Sequence, residues 1–317
     1  MSDLLTNEFL TALIAGGILA GIPLMFAALG EMVSERAGVL NIGLEGMMLF
    51  GAYSGFVVAY HAGSTWLGFL AGAATGITIS LIMVVLCVRL NLDQIVIGIA
   101  ITLVAEGLTT LIFDSQFAES RPSLGATDRV SIPGLSDVPV VGGADSSNGS
   151  VFSQPLIVYL GLGLVAFTAW VMRRTHIGLN VRSSGDRPAA LDAAGVSVVA
   201  TRAWATIFAG AMAGLGGAYL SIVVAGLFER FMTQGRGYIA IVLAMLARGR
   251  PLWVLIGSFI FGISLSISDA LQIAGVNIST DLVFMLPFLV VMLVLLMVGR
   301  RSYLPPALGL PYTRGAR

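Results

Sequence analysis

The sequence predicts an all-α protein, a polytopic transmembrane helical bundle of about nine spans (eight to ten) with a short cytoplasmic helix. Hydrophobic residues make up 57% of the 317 positions and charged residues 11%, where soluble domains carry about 25% charged residues. The mean hydropathy of +0.94 agrees. The apolar segments also recur at lengths that match the roughly 30 Å hydrocarbon core. A membrane protein is therefore the class that the composition favours.

Nine apolar segments follow one another along the chain, and we treat residues 1–317 as a single transmembrane domain. The segments are 10–29, 40–60, 66–88, 95–113, 155–172, 203–228, 238–247, 252–268 and 282–298. The seventh, 238–247, is short for a span, so it is predicted to be either a short crossing or a re-entrant piece. Because of this ambiguity, the predicted number of spans ranges from eight to ten.

The arginines indicate the orientation, because positive residues concentrate in cytoplasmic loops. One group is expected to face the cytoplasm: Arg89, Arg173, Arg174, Arg182, Arg187, Arg202, Arg248, Arg250, Arg300, Arg301, Arg314 and Arg317. Residues 173–202 then form a cytoplasmic loop and 299–317 a cytoplasmic tail, whereas the N-terminus and the polar stretch 114–154 lie outside. That stretch is either a solvated connector or a docking surface for an external partner.

A helix too short to cross a bilayer is predicted inside the cytoplasmic loop. Asp186 is expected to cap it, Pro188 fits its first turn, and Gly195 suits the left-handed position after its end. About seven residues at roughly 1.5 Å per residue give a rod of about 10 Å. We expect this helix to lie beside the membrane and to contact another molecule.

Several chemistries are excluded by composition. All 17 basic residues are arginines, so the chain has no phosphate-binding-loop or Schiff-base lysine, and any ATP hydrolysis belongs to another polypeptide. One Cys and two His exclude a disulfide framework and argue against an internal zinc site. The net charge of zero argues against nucleic-acid binding. With no hydrolase or metalloprotease motif, the chain is predicted not to be an enzyme and to hold no cofactor.

Polar residues and glycines interrupt the second apolar segment. Gly38, Gly43 and Gly46 loosen the helix there, and broken helices at membrane depth occur where they line a cavity or are covered by protein. Asn41 and Glu45 are four residues apart, so a continuous helix would place them on one face. They are candidates to offer an amide and a carboxylate to a polar solute.

A structural interpretation of the same segment stays open. In it, Glu31, Glu35 and Arg36 form an ion cluster at the surface, and Asn41 caps the second helix. The polar residues then stabilise the fold and do not meet a solute.

Four further acids lie near apolar segments, where charge is costly: Asp93, Glu106, Asp269 and Asp281. Asp93 and Asp281 are expected to cap helices at the interface, and Glu106 is the most buried of the four by position. A proton relay through Glu106 and Asp269 is one interpretation, and a structural role is the other, which we favour.

Glycines recur at a spacing of four in three segments, as the pairs Gly51 with Gly55, Gly72 with Gly76 and Gly210 with Gly214. Such small residues let helices approach closely. The spacing predicts contacts within the bundle in preference to a homodimer seam.

Four stretches resemble one family of transport proteins: 30–48, 185–196, 235–240 and 305–312. They are similar to the permease subunits of bacterial ABC importers, in the branched-chain amino acid/simple sugar permease family, and within it to the nucleoside and simple-sugar branch. The stretch Glu-Met-Val-Ser-Glu-Arg-Ala-Gly-Val-Leu-Asn, residues 31–41, is specific to that branch, whereas the Gly-Asp-x-Pro-x-Ala loop is shared more widely.

The resemblance implies a subunit of the bacterial plasma membrane that moves a nucleoside or related sugar-type solute inward by alternating access. Implied partners are two ATPase subunits that bind ATP, a second, related permease and an external solute-binding protein. A proton-coupled secondary transporter of a small polar solute is the alternative, motivated by Glu45, Glu106 and Asp269.

The resemblance also assigns roles to residues. The residues expected to couple to the ATPase are Gly185, Asp186, Arg187, Pro188, Ala189, Ala190, Leu191, Ala194 and Gly195. Asn41, Gly43 and Glu45 are expected to line the solute pathway, and Glu106 is added as a further candidate for its depth. Gly235, Arg236 and Gly237 are expected to begin a short gating helix.

Overall fold

A computed structural model describes residues 7–118, 121–125, 127–131, 153–273 and 304–313, with positions 285, 289, 290, 292, 293 and 296 between the last two ranges. Side chains are described for these residues except 7–12, 131 and 268–273.

The described residues form ten α-helices and one short β-ribbon. The helices are α1 (Asn7–Ala37), α2 (Leu44–Ala62), α3 (Thr65–Met83), α4 (Gln94–Gln116), α5 (Leu156–Arg174), α6 (His176–Asp186), α7 (Pro188–Ala193), α8 (Val198–Tyr219), α9 (Arg236–Ala247) and α10 (Pro251–Ile273). Two π-helical turns, Val84–Arg89 and Leu220–Val224, extend α3 and α8. The strands β1 (Arg129–Ser131) and β2 (Ser153–Pro155) pair antiparallel, with Val130 opposite Gln154.

Five of the described helices are long and apolar enough to cross a membrane: Leu13–Ala37, Thr65–Arg89, Gln94–Gln116, Leu156–Arg174 and Val198–Val224. Helix α2 is not among them, because Glu45, Tyr53, Tyr60 and His61 interrupt its apolar sequence. Helix α9, at 12 residues, covers about half of a bilayer. An all-α membrane bundle is confirmed, whereas the count of nine spans is not, and most of the segment 282–298 lies outside the described residues.

The centre of the bundle is built from α1 and α8, which are the most deeply buried of the five, and α4 lies at the periphery. Glycines let α2 and α3 approach α8. A Cβ atom at Gly214 would overlap the Gly72 carbonyl oxygen, and one at Gly51 would lie 2.5 Å from Gly214 Cα. The predicted use of these glycines for contacts within the bundle is confirmed.

Two predicted loops contain regular structure. Most of the stretch 173–202 is helical, because α6 and α7 occupy it between α5 and α8. Helix α6 was not predicted because its sequence is mostly polar. It packs on the bundle through Val181, Ser184 and its glycines. The stretch 114–154 contains the end of α4, both strands and residues 121–125, where Leu124 N–H donates to the Gly226 carbonyl at 2.7 Å.

Candidate transport and coupling site

The break between α1 and α2 begins at a helix stop that the sequence encodes. Gly38 has φ +96°, and the N–H groups of Gly38 and Val39 donate to the carbonyls of Glu35 and Ser34 at 2.9 and 3.0 Å. This hydrogen-bond pair, with a left-handed glycine after the helix, is a Schellman motif. A side chain at Gly38 would be strained by the backbone, and its Cβ would lie 3.0 Å from Arg202 Nη2.

Beyond this stop the chain runs back into the bundle without regular structure. Leu40 N–H donates to Gln94 Oε1 on α4 at 2.8 Å, and Asn41 N–H donates to Glu31 Oε1 on α1 at 2.9 Å. Glu31 lies six residues before the end of α1, which places Asn41 about 9 Å inside that end. The predicted break is therefore confirmed, and protein buries Gly38, Val39, Asn41 and Gly43 within it, as irregular backbone at membrane depth requires.

The surface ion-cluster interpretation is wrong. Glu31 and Asn41 have no exposed surface, and Glu35 is 4% exposed. Asn41 does not cap α2 either, because its Nδ2 donates to Met47 Sδ at 3.3 Å and α2 has no side-chain cap. Buried oxygens of Glu31, Glu35 and Asn41 have no hydrogen-bond partner among the described residues. These acids are part of the bundle interior, where Glu31 satisfies the backbone of the break.

Glu45 and the 235–237 glycine segment meet in the bundle. The N–H groups of Gly235 and Gly237 donate to Glu45 Oε1 and Oε2 at 2.8 and 2.6 Å, and Glu45 is buried. These N–H groups lie at the start of α9. Because a helix N-terminus carries partial positive charge, the Glu45 carboxylate is stabilised there. The chain thus joins a predicted pathway residue to the predicted gating segment.

Both residues that donate to Glu45 need to be glycine. Gly235 has φ +80°, a conformation that other residues rarely adopt. A Cβ atom at Gly237 would lie 2.5 Å from Glu45 Cα and 2.7 Å from Glu45 Oε2. The two glycines therefore let the carboxylate approach the helix end.

Gly43 and Glu106 lie in different surroundings. Gly43 packs on α4, where a Cβ atom would lie 3.3 Å from Ile101 Cβ. Glu106 is half-buried on α4 beside the exposed Leu103 and Val104. Among the described side chains none forms an ion pair or hydrogen bond with Glu106, so the structure does not bring it to Asn41 or Glu45.

Asp93 caps α4 as predicted, accepting from the N–H groups of Ile95 and Val96 at 2.8 and 3.0 Å.

The short helix α7 is confirmed, with Pro188 at its start. It ends in a second Schellman motif, because Gly195 has φ +82° and the N–H groups of Gly195 and Val196 donate to the carbonyls of Asp192 and Leu191. Leu191 is buried, whereas Ala189, Ala190, Ala193 and Ala194 are exposed. One leucine therefore anchors the helix while a face of small residues is free for contact.

The predicted capping role of Asp186 is wrong. Arg187 holds the N-cap position of α7 and makes no side-chain cap, and Asp186 is the last residue of α6. Its carboxylate instead pairs with Arg36 at 3.6 Å. Just before it, Ser184 Oγ donates to the Ala37 carbonyl at 2.8 Å in a buried position. The coupling loop is thereby attached to the end of α1.

Sequence reasoning did not assign a site role to Arg36, Ser184 or Arg202. Arg202 was visible only as an indicator of orientation, and Arg36 only as a member of a surface ion cluster, although Arg202 is 4% exposed and donates to the carbonyl of Leu310 at 2.7 Å. The available signal for Arg202 was a positive charge directly beside the predicted span 203–228, where charge is costly and requires partners.

A family model described as branched-chain amino acid transport system / permease component matches residues 13–296. The chain belongs to this family. It is a permease subunit, a multi-pass protein of the plasma membrane, and a permease subunit is not itself an enzyme.

Relatives span nearly the whole chain. A putative glucose ABC transporter permease of Haloferax volcanii is 37% identical over 87% of this chain and 81% of its own length. A guanosine ABC transporter permease of Bacillus subtilis is 31% identical, covering 98% of this chain and 99% of its own. A nucleoside ABC transporter permease of Lactococcus lactis is 29% identical, covering 96% and 98%. No solved structure matches the chain.

Proposed function

We propose that this chain is the membrane-spanning half of an ATP-driven importer for nucleosides or related sugar-type solutes. The observation that carries the proposal is helix α7, a helix of six residues with an exposed alanine face. It directly follows α6, which Ser184 and Asp186 hold against the end of α1. The names of the relatives, which include guanosine, nucleoside and glucose permeases, support the solute class.

In this proposal the exposed alanine face of α7 docks on an ATPase subunit in the cytoplasm. A groove of 530 Å³ beside α7, lined in part by Arg36, Asp186, Arg187, Ala190 and Ala194, offers both charge and small side chains to a partner. Arginines surround α7, which supports the cytoplasmic orientation of this end. ATP is then bound by the partner subunits, with no nucleotide or metal held by this chain.

The route from α7 to the solute pathway runs through Arg36 and α9. Arg36 pairs with Asp186 and also passes over Gly249, where a Cβ atom would lie 2.6 Å from Arg36 Cδ. Gly249 follows α9, and the other end of α9 is held by Glu45. Movement of the coupling loop can therefore shift α9 against α2, which makes the 235–237 segment a gate between two rigid-body states. In this proposal Asn41, Gly43 and Glu45 border the pathway at this gate. Glu106, which the structure does not bring to Asn41 or Glu45, stays a prediction from the sequence outside the gate.

Replacement of residues 188–193 by a Gly-Ser linker of equal length tests the coupling role. We expect the variant to reach the membrane but to lose ATP-driven uptake in liposomes that contain the ATPases and the solute-binding protein. The matched control is Arg174→Gln at the exposed end of α5. Uptake that survives the linker would contradict the proposal.

The solute class is tested by uptake of labelled guanosine, uridine and glucose with the same liposomes. Uptake of either nucleoside, with weak competition by glucose, supports the nucleoside assignment. Uptake of glucose alone would assign the sugar class instead. The relatives give no support to the proton-coupled alternative, which predicts uptake driven by a pH gradient in liposomes that contain this chain without an ATPase.

We further propose that the pore is a heterodimer with a related permease. Haloferax volcanii has a second glucose ABC transporter permease, 25% identical to this chain, which supports pairing of two such chains. Affinity purification after co-expression of tagged and untagged copies of this chain with the related permease tests the pairing. Recovery of an untagged copy of this same chain bound to the tagged one would contradict it.

A further inference from the structure

A segment near the C-terminus, residues 304–310, lies across the end of the bundle that carries α7; we name it the C-terminal strap. It forms two turns of its own, in which Leu308 N–H donates to the Pro305 carbonyl at 3.0 Å and Leu310 N–H donates to the Ala307 carbonyl at 3.3 Å. Ala307 is 8% exposed. The strap is therefore packed on the protein through its middle.

Backbone hydrogen bonds connect the strap to two segments that the proposed mechanism needs to move together. Ala307 N–H donates to the Gly185 carbonyl at 3.0 Å, three residues before α7. Gly309 N–H donates to the Gly38 carbonyl at 3.1 Å, at the stop of α1. The strap thus bridges the coupling loop and the start of the broken segment.

Gly185, in the coupling loop, is enclosed by the end of α1 and by the strap. A Cβ atom there would overlap the Arg36 carbonyl oxygen and would lie 3.0 Å from Pro305 Cβ. The close approach lets the coupling loop, the end of α1 and the strap share one interface without intervening side chains.

A buried arginine fixes the strap to a third element. Arg202, in the second turn of α8, is 4% exposed and donates from Nη1 to the Leu310 carbonyl at 2.7 Å and from Nη2 to the Ala307 carbonyl at 3.4 Å. Its Nη2 also lies next to Gly38. A guanidinium presents several donors in a fixed plane, so one side chain can hold two carbonyls at once.

We propose that the strap and Arg202 form a mechanical link that makes the coupling loop move as one body with the ends of α1 and α8. Arg202 is a positioning residue in this proposal, since it acts through the strap and does not meet the solute or ATP. The inference rests on the proposed function, because it assigns the link a role in transmitting movement from α7 to the pathway.

The link predicts a defect in coupling that is separable from a defect in assembly. Hydrogen bonds to a charged donor contribute about 1.5–3 kcal/mol, so their loss should weaken the link by about tenfold or more. Without it, α7 still binds the ATPase, but its movement is transmitted less to α1 and α8. ATP is then hydrolysed with little transport.

The test measures ATP hydrolysis and solute uptake in the same liposomes, which contain this chain with its ATPases, the second permease and the solute-binding protein. The variants are Arg202→Gln, Arg202→Lys and a chain that ends at residue 303. We expect each to retain the ATPase on purification, and Arg202→Gln and the shortened chain to lose about tenfold in uptake per ATP hydrolysed. Arg202→Lys keeps the charge without the planar donor pair and should fall between them and the wild type. Arg250→Gln is the control, an exposed arginine outside the link.

The outcomes separate the link from the proposed function. An unchanged ratio of uptake to hydrolysis in Arg202→Gln, in a complex whose wild type transports, overturns the link alone. Absence of ATP-driven uptake in the wild type overturns the proposed function itself. If Arg202→Gln does not assemble, Gly309→Ala tests the link instead. Gly309 has φ +73° with open space around it, so alanine there strains the backbone of the strap without removing a buried charge. Uptake that falls only in proportion to the amount of assembled Gly309→Ala complex then overturns the link.

Discussion

Gly237 N–H donates to Glu45 Oε2 at 2.6 Å although 192 positions separate the two residues. The contact places a buried carboxylate against the first turn of a helix that covers about half of the bilayer. It joins the two parts of the chain in which regular structure is interrupted, residues 38–43 and the stretch that precedes α9.

Glu45→Gln should weaken the hold of α2 on α9. The amide keeps the size of the side chain but loses the negative charge, which stabilises a helix N-terminus by up to about 2 kcal/mol in partly buried sites. We expect a lower midpoint of thermal unfolding in detergent and a loss of uptake. Glu106→Gln is the matched control, because that half-buried acid has no ion pair among the described side chains. Equal defects in both variants would contradict the assignment and would favour a proton-coupled role for Glu106.

Gly237→Ala should be more damaging than an ordinary glycine replacement, because the added methyl group collides with the backbone of Glu45. Overpacking of this kind costs about 1–3 kcal/mol. Gly163→Ala in α5 is the control, since its Cβ would meet open space and alanine favours a helix by about 1 kcal/mol over glycine. Size-exclusion chromatography of heated samples measures both variants, and a Gly237→Ala protein as stable as the wild type would refute the collision.

Gly214→Leu should separate α3 from α8. At this position even a Cβ atom would overlap the Gly72 carbonyl oxygen. A leucine side chain there would therefore force α3 and α8 apart. We expect loss of the folded protein in detergent extracts, with normal synthesis. Gly107→Leu, on α4, should be tolerated because nothing lies within 4 Å of its Cβ position. Tolerance of Gly214→Leu would argue against direct α3–α8 packing.

Arg36 and Asp186 should contribute a small coupling energy. Their ion pair of 3.6 Å is partly exposed, and pairs of this kind contribute about 0.2–1 kcal/mol. A double-mutant cycle with Arg36→Gln and Asp186→Asn measures the pair through the thermal stability of the purified chain. Ser184→Ala, which removes a buried hydrogen bond of 2.8 Å, should cost about 1 kcal/mol by itself. A coupling energy of zero would mean that Ser184 and the strap hold the loop without the ion pair.

Helix α7 shows most clearly what the sequence could predict and what it could not. Pro188 and Gly195 marked its ends correctly, because proline fixes a backbone angle suited to a first helical turn and glycine accepts the left-handed angle beyond the last. Asp186 was misassigned because α6 runs through it, which leaves Arg187 at the N-cap position of α7. Its carboxylate pairs with Arg36 of α1 instead, a contact that the packing of the helices decides.

The sequence by itself determined the membrane class, the all-α fold, the break in the second apolar segment and the short helix α7. Each of these depends on hydropathy or backbone angles within a few neighbouring residues. Only the tertiary structure decided that Glu45 caps α9 and that Arg202 holds Leu310, 108 positions away. Such contacts depend on which helices pack together, and the partners of a buried charge are chosen by that packing because water is absent to satisfy it.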